Sequence, residues 1–183
     1  MTDTEIASSA PVEEPRVWTL DGFQPDIWRH VESADELSDT GNAILPLEAF
    51  LAIAPEQRRA ANSRLGVKLA PADPVEKIAE LLNELPVVAL EFPAFSDGRS
   101  FSKAEILRRR YGYKGKVRAV GAVLPDQISH MLRVGFDELE ASHPVTLKWL
   151  AQGKIEGLGL YYQPSAREES PGEGFSWRRR PAG

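Results

Sequence analysis

The 183-residue chain reads as a single α/β domain of about four successive strand-helix units, with a parallel, half-barrel-like sheet. Three observations carry that reading. From residue 65 onward, short apolar runs alternate with segments whose apolar residues recur at helical spacing, the alternation expected of a parallel sheet. The links between them are short, so the crossovers are right-handed. Apolar residues make up 42% of the chain, enough for one substantial core but marginal for two.

Residues 17–31 open with a short strand, turn at Asp21-Gly22 and carry Trp18 and Trp28, which reads as a packed N-terminal flap. Residues 42–54 form a strand leading into a short helix, and 55–64 are a polar connection or helix. A strand follows at 65–69. Asp73-Pro74-Val75-Glu76 then offers an N-cap, a proline at the first helical position and a glutamate placed to close a capping box. The spacing of Val75, Ile78, Ala79, Leu81, Leu82 and Leu85 carries that helix to about residue 85 with one face inward. Residues 87–92 are apolar except for Glu91, the pattern of a strand buried on both faces.

After a loop at 93–101, Ser102-Lys103-Ala104-Glu105 is a second capping box, opening a helix to about Tyr111 that Gly112 and Gly115 end. Residues 116–120 are the third strand of the series. Residues 126–134 are a helix with Ile128, Met131 and Leu132 inward, 136–139 a fourth strand, and 144–152 a helix capped by His143 and stopped by Gly153. The apolar run at 155–162 is expected to add an edge strand. Nothing marks a reversal of strand order, which favours the half-barrel-like arrangement over the alternative, a small open doubly wound sheet. Open edges need cover, and a homodimer would supply it; a monomer by sedimentation equilibrium would dispose of that expectation. Residues 1–15, acidic and rich in small side chains, are expected to be disordered. Residues 165–183 are expected to be a flexible tail, leaving 16–164 as the single domain. In that tail, 174–180 has the composition of a docking peptide or of a frayed terminus.

Composition also narrows function. There is no cysteine, which removes disulfides, thiol nucleophiles, thiolate zinc sites and Fe–S clusters held by protein sulfur. His30, His130 and His143 are scattered without metal-ligand spacing, so no metal site is expected. There is no signal-peptide pattern and no apolar run of membrane-spanning length, which places the protein in the cytoplasm and away from membranes. A net charge of −5 argues against nucleic acid as a partner. No glycine-rich dinucleotide or phosphate-loop motif and no nucleophile elbow is present, and no cofactor is expected.

The informative stretch runs from Glu91 to Gln127. Between Arg99 and Arg118 stand eight basic residues and one acid, Glu105, within an acidic protein. The loop carrying Asp97, Gly98, Arg99 and Ser100 follows a strand, at the end of the sheet where α/β proteins gather ligands. Arg99, Ser100, Arg108, Arg109, Arg118 and Gln127 are therefore candidates for binding an anion or an acidic partner, with Asp97 and Asp126 as candidate general acids or bases. A plainer reading stands beside this one. Arg108, Arg109 and Arg110 fan over about two-thirds of a helical turn and also complement a helix dipole, and Asp97 with Arg99 can be a turn braced by an ion pair. Asp126, His130 and Arg133 share one helix face, which solvent also explains.

The residues Phe92-Pro93, Phe95, Asp97-Gly98-Arg99, Leu107-Arg108, the turn between Gly112 and Gly115, Arg118-Ala119, Gly121, Asp126-Gln127, Arg133 and Gly135-Phe136-Asp137 resemble the core of a bacterial family of unknown function, DUF934. Asp26-Ile27-Trp28 and Ile44-Leu45-Pro46-Leu47 resemble its N-terminal part. Ala122 stands where many members carry an acidic residue, so no carboxylate role is carried over to that position. The resemblance implies a setting in assimilatory sulfite reduction, as a probable oxidoreductase or accessory protein. Sulfite reduction runs through sirohaem and Fe–S centres, which a chain without cysteine or a dinucleotide fingerprint cannot serve alone. The resemblance thus implies an accessory or docking protein whose partner is the sirohaem sulfite reductase system. The alternative is an enzyme or small-ligand binder holding a sulfite-, sulfate- or phosphate-like anion at the carboxyl ends of the strands.

Overall fold

The structure, a computed structural model, describes residues 16–153 except 39 and 95, with the backbone alone at 16 and 62. The expected disorder of 1–15, the edge strand at 155–162, the tail at 165–183 with its 174–180 motif, and Phe95 lie outside the described residues.

One sheet of eight strands organises the domain: β1 (Arg16–Thr19), β2 (Gly22–Pro25), β3 (Trp28–His30), β4 (Asn42–Pro46), β5 (Leu65–Leu69), β6 (Val87–Phe92), β7 (Lys116–Gly121) and β8 (Glu138–Leu139). Their order is β2-β1-β8-β7-β6-β5-β4-β3. Strands β3 to β8 are parallel neighbours in chain order, and the β1–β2 hairpin joins β8 antiparallel through Trp18 and Leu139. The order never reverses, so the fold is α/β and half-barrel-like rather than doubly wound. Of the expected N-terminal flap at 17–31, the first part is the hairpin, whereas Trp28 belongs to β3, a parallel strand at the opposite edge of the sheet.

The sheet is rolled, and chain connectivity shows how far. β2 and β3 are its two opposite edges, seven strand intervals apart, which is about 34 Å on a flat sheet. Only Asp26 and Ile27 separate them in sequence, a link that spans no more than about 11 Å. The two edges must therefore come together.

Helices cover the outer face: α1 (Leu47–Ala52), α2 (Pro55–Ala60), a 3-10 helix (Val75–Glu84), α3 (Arg99–Glu105) running into a π turn (Ile106–Arg110), α4 (Pro125–Val134) and α5 (Pro144–Ala151). The main core lies between them and the outward residues of the strands, among them Leu45, Val67, Leu69, Val88, Leu90, Phe92, Val117 and Ala119. Strand alternation turns Ile44, Val87, Ala89 and Val120 the other way, into a second, small cluster that fills the hollow with Trp28 packed against it. β6 is thus buried on both faces, as its near-continuous apolar run requires.

Both expected capping boxes are absent. Asp73 does not cap the helix after it, because its carboxylate accepts the Ala70 N–H at 2.8 Å and closes the loop leaving β5. That helix is a 3-10 helix, whose i, i+3 eclipse stacks Val75 over Ile78 and Leu82 over Leu85 against the sheet. Further on, α3 begins at Arg99, three residues before the expected Ser102 cap. The Asp97 carboxylate accepts the Arg99 N–H at 3.2 Å, and the Ser100 hydroxyl donates to the Glu91 carbonyl at 2.6 Å, so the chain turns helical earlier. α5 does start as expected, with His143 Nδ1 accepting the Val145 N–H at 3.3 Å.

Gly121 ends β7 at a φ of 88°, and a Cβ there would lie 2.5 Å from the Phe92 carbonyl oxygen, a backbone atom that cannot step aside. Gly121→Ala is expected to cost about 2–3 kcal/mol, combining left-handed strain with displacement of β6. A urea midpoint unchanged from wild type would contradict it.

Candidate functional site

The basic stretch does not form one patch. Arg99 stands at the carboxyl end of β6, and α3 with its π turn then carries the chain about 17 Å to the opposite end of the sheet. Three of the eight basic residues turn inward. Lys103 is buried and donates its amine to the Ala70 carbonyl; burial pushes its pKa down, partly offset by Asp73. Arg108 donates to the carbonyls of Gly135, Tyr113 and Gly115 and to Asp137. Arg118 lies under the hollow face and is described below. Arg109, Arg110, Lys114 and Lys116 remain exposed, gathered where the π turn ends and β7 begins. Of these, Arg110 lies 3.6 Å from the exposed Glu76 and over the ring of Tyr111.

At the other end, Arg99 donates to both oxygens of Asp97, through Nε at 3.0 Å and Nη2 at 2.6 Å. That bond holds the Asp97 carboxyl below its usual range and raises the Arg99 pKa in return. The pair braces the turn, while Ser100 is fully buried beneath it. Asp126 is exposed and Gln127 half-buried at the start of α4. His130 packs on the Phe101 ring with centroids 4.5 Å apart and accepts from Arg133 Nη2 at 2.9 Å through Nδ1. Burial and the Arg133 charge both push its pKa down, so it is neutral at pH 7. Neither of the two grooves described next is lined by Asp97, Arg99 or Asp126.

The densest polar chemistry lies in the hollow. Arg118, 1% exposed, forms a two-pronged bond with Asp26, Nη1 to Oδ2 at 2.8 Å and Nη2 to Oδ1 at 3.0 Å. Its Nε donates to Glu138 at 2.9 Å, and Nη1 lies 3.4 Å from Glu140. Burial alone would push this guanidinium's pKa down; the bonds to Asp26 and Glu138 more than offset it. Glu140 in turn meets His30 Nε2 at 2.8 Å. Burial pushes the Glu140 pKa up, but the His30 bond and the Arg118 charge prevail and hold it low. The cluster joins the link before β3 and β3 itself to β7 and β8, across the roll of the sheet. Two grooves flank the Asp26-Ile27 link, one of about 370 Å³ reaching Lys116 and one of about 450 Å³ reaching His30, Asn42 and Glu140.

Of the residues expected to act, only Arg118 belongs to this cluster. Asp26, His30, Glu138 and Glu140 were not singled out as site residues: Asp26 and His30 lie 92 and 110 residues from Arg118 and Glu140, and Glu138 and Glu140 lie 20 and 22 from Arg118, all beyond the reach of a local pattern. One local signal was present: Glu138-Leu139-Glu140 puts two carboxylates on one face of a strand, which a buried strand does not tolerate without a cation.

Among the described residues, no group of three or more histidine and carboxylate side chains is arranged to hold a metal ion, and no helix is long and apolar enough to cross a membrane. Residues 66–172 match the model of a family described as a bacterial protein of unknown function, DUF934. No curated protein matches the chain.

Proposed function

Because the chain belongs to the DUF934 family, whose description names no activity, we propose from its own surface chemistry that it is an accessory docking protein for an acidic partner. The observation that carries this is the group of exposed cations Arg109, Arg110, Lys114 and Lys116 beside the start of β7. They stand out because the protein as a whole is acidic. An interface of this kind steers association more than it adds affinity. The partner we infer is the sirohaem sulfite reductase system, the setting that the family resemblance implies. With no cysteine to ligate a cluster, the chain would stabilise or position that system while the electrons stay on the partner.

Biolayer interferometry against the sulfite reductase of the same organism tests this at low and moderate salt. Saturable binding that weakens with salt is expected. A triple variant, Arg110→Glu with Lys114→Glu and Lys116→Glu, should weaken it roughly tenfold or more, chiefly through the on-rate. Arg99→Ala, at the far end of α3, should leave it unchanged. No binding at either salt, or undiminished binding by the triple variant, would remove the assignment. The alternative, a sulfite-, sulfate- or phosphate-like anion on Arg99, would have to compete with Asp97, which already takes two of that guanidinium's donors.

A further inference from the structure

The groove beside β3 carries chemistry that the docking surface does not use. Trp28 and Asn42 sit directly opposite one another on neighbouring strands, and His30 follows Trp28 by two residues on the same face, about 7 Å along the strand. All three are half-buried and line the 450 Å³ groove together with Glu140, Asp26 and the exposed Ile27. That volume suits a small molecule.

We propose that this groove binds a small, uncharged, planar heterocycle and that His30 accepts a hydrogen bond from it. The indole of Trp28 offers a face for a flat ring, and the Asn42 amide, which makes no hydrogen bond among the described residues, offers a donor and an acceptor at its edge. Glu140 accepts from His30 at Nε2, so neutral His30 carries its proton there and presents a lone pair at Nδ1. Arg118, 3.4 Å from Glu140, holds that carboxylate in place. The carboxylates of Asp26 and Glu140 line this groove against one arginine, Arg29, whose Nη2 donates to the Glu36 carbonyl at 2.7 Å, which disfavours an anionic ligand and favours a neutral one. An N–H of the ligand donates a hydrogen bond to Nδ1, and ligand and imidazole both keep their own protons. Glu140 and Arg118 are positioning residues in this scheme.

The test follows the His30 ring nitrogens by NMR in the full chain, assigned with His30→Gln, while adenine, nicotinamide, benzimidazole and benzoate are added in turn. At least one neutral heterocycle should shift the His30 signals with a Kd of about 1 mM or tighter, and benzoate should not. Asn42→Ala should weaken that binding about fivefold, the equivalent of one hydrogen bond. Glu140→Gln should change the His30 tautomer seen in the ring shifts. The proposal is overturned if no heterocycle moves His30, if benzoate moves it as strongly, or if Asn42→Ala binds as wild type does. Asn42→Ala leaves the ionic cluster intact, so the outcome does not depend on a variant that strands a charge.

Discussion

Arg118→Ala is expected to destabilise the domain by about 3–5 kcal/mol at pH 7, because it leaves three carboxylates around a hole with no cation among them. The Arg118 and Asp26 side chains are 1% and 3% exposed, so water cannot replace the lost bonds cheaply. Arg118→Met separates charge from packing: it restores most of the volume and should recover less than half of the loss. The dependence on pH should differ between wild type and variant. In the wild type, the folded Glu140 carboxyl is held below its ordinary value, so its contribution is present above an unfolded pKa of 4.5 and is lost as pH falls through the folded value. In Arg118→Met the stranded carboxyl groups bind protons more readily when folded than when unfolded, so stability should rise as pH falls from 7 towards 5. Urea titrations of both proteins at pH 7 and pH 5 would check this. A variant that loses less than about 1 kcal/mol, or whose stability does not rise between pH 7 and pH 5, would show that the cluster is not the clasp of the rolled sheet.

The local half of the architecture was legible because it is written at short range. The apolar runs at β5, β6 and β7 and the helical spacing of Ile128, Met131 and Leu132 each depend on residues a few positions apart. The absence of a strand-order reversal pointed correctly to the half-barrel-like sheet. Helix starts were less legible, since a capping box states that a side chain can cap, not that it will. Asp73 and Ser102 were both pre-empted by bonds made one loop earlier. Least legible was the hollow. His30 and Glu140 are 110 residues apart, and nothing near either predicts that five strand intervals curl until the two touch at 2.8 Å.

The basic stretch shows how composition can overstate a surface. Eight cations between Arg99 and Arg118 read as one anion-attracting patch. Folded, Lys103, Arg108 and Arg118 spend their charges on interior carbonyls and carboxylates. The docking proposal consequently rests on half of that stretch. It also predicts that charge reversal at the exposed Arg110, Lys114 and Lys116 changes binding without changing stability, whereas substitution of the inward arginines does the opposite.

Arg108 is the sharpest case of that contrast. Its guanidinium donates from Nε to the Gly135 carbonyl at 2.9 Å, from Nη1 to the carbonyls of Tyr113 and Gly115 at 2.6 and 2.9 Å, and from Nη2 to Asp137, while stacking over Tyr113. Asp137 also accepts the Val117 N–H, so one side chain ties the π turn, the 113–115 turn, the end of α4 and the start of β7. Gly135 adopts a φ of 107°, and a Cβ there would stand 2.6 Å from Arg108 Cγ, so the arginine stem also packs on backbone that only glycine leaves bare. Arg108→Ala should therefore cost about 3–4 kcal/mol, by taking the guanidinium from three carbonyls and from the Asp137 carboxylate together, and lower Tm by roughly 10 °C in a chain of this size. Arg108→Lys keeps the charge but cannot reach four acceptors from one point, and should recover no more than about half of the loss. Sulfite reductase binding by the folded fraction of either variant should match wild type, because Arg108 faces inward while Arg109 and Arg110 stay outside. A stable Arg108→Ala protein with impaired binding would reverse the assignment, making Arg108 part of the docking surface rather than the tie beneath it.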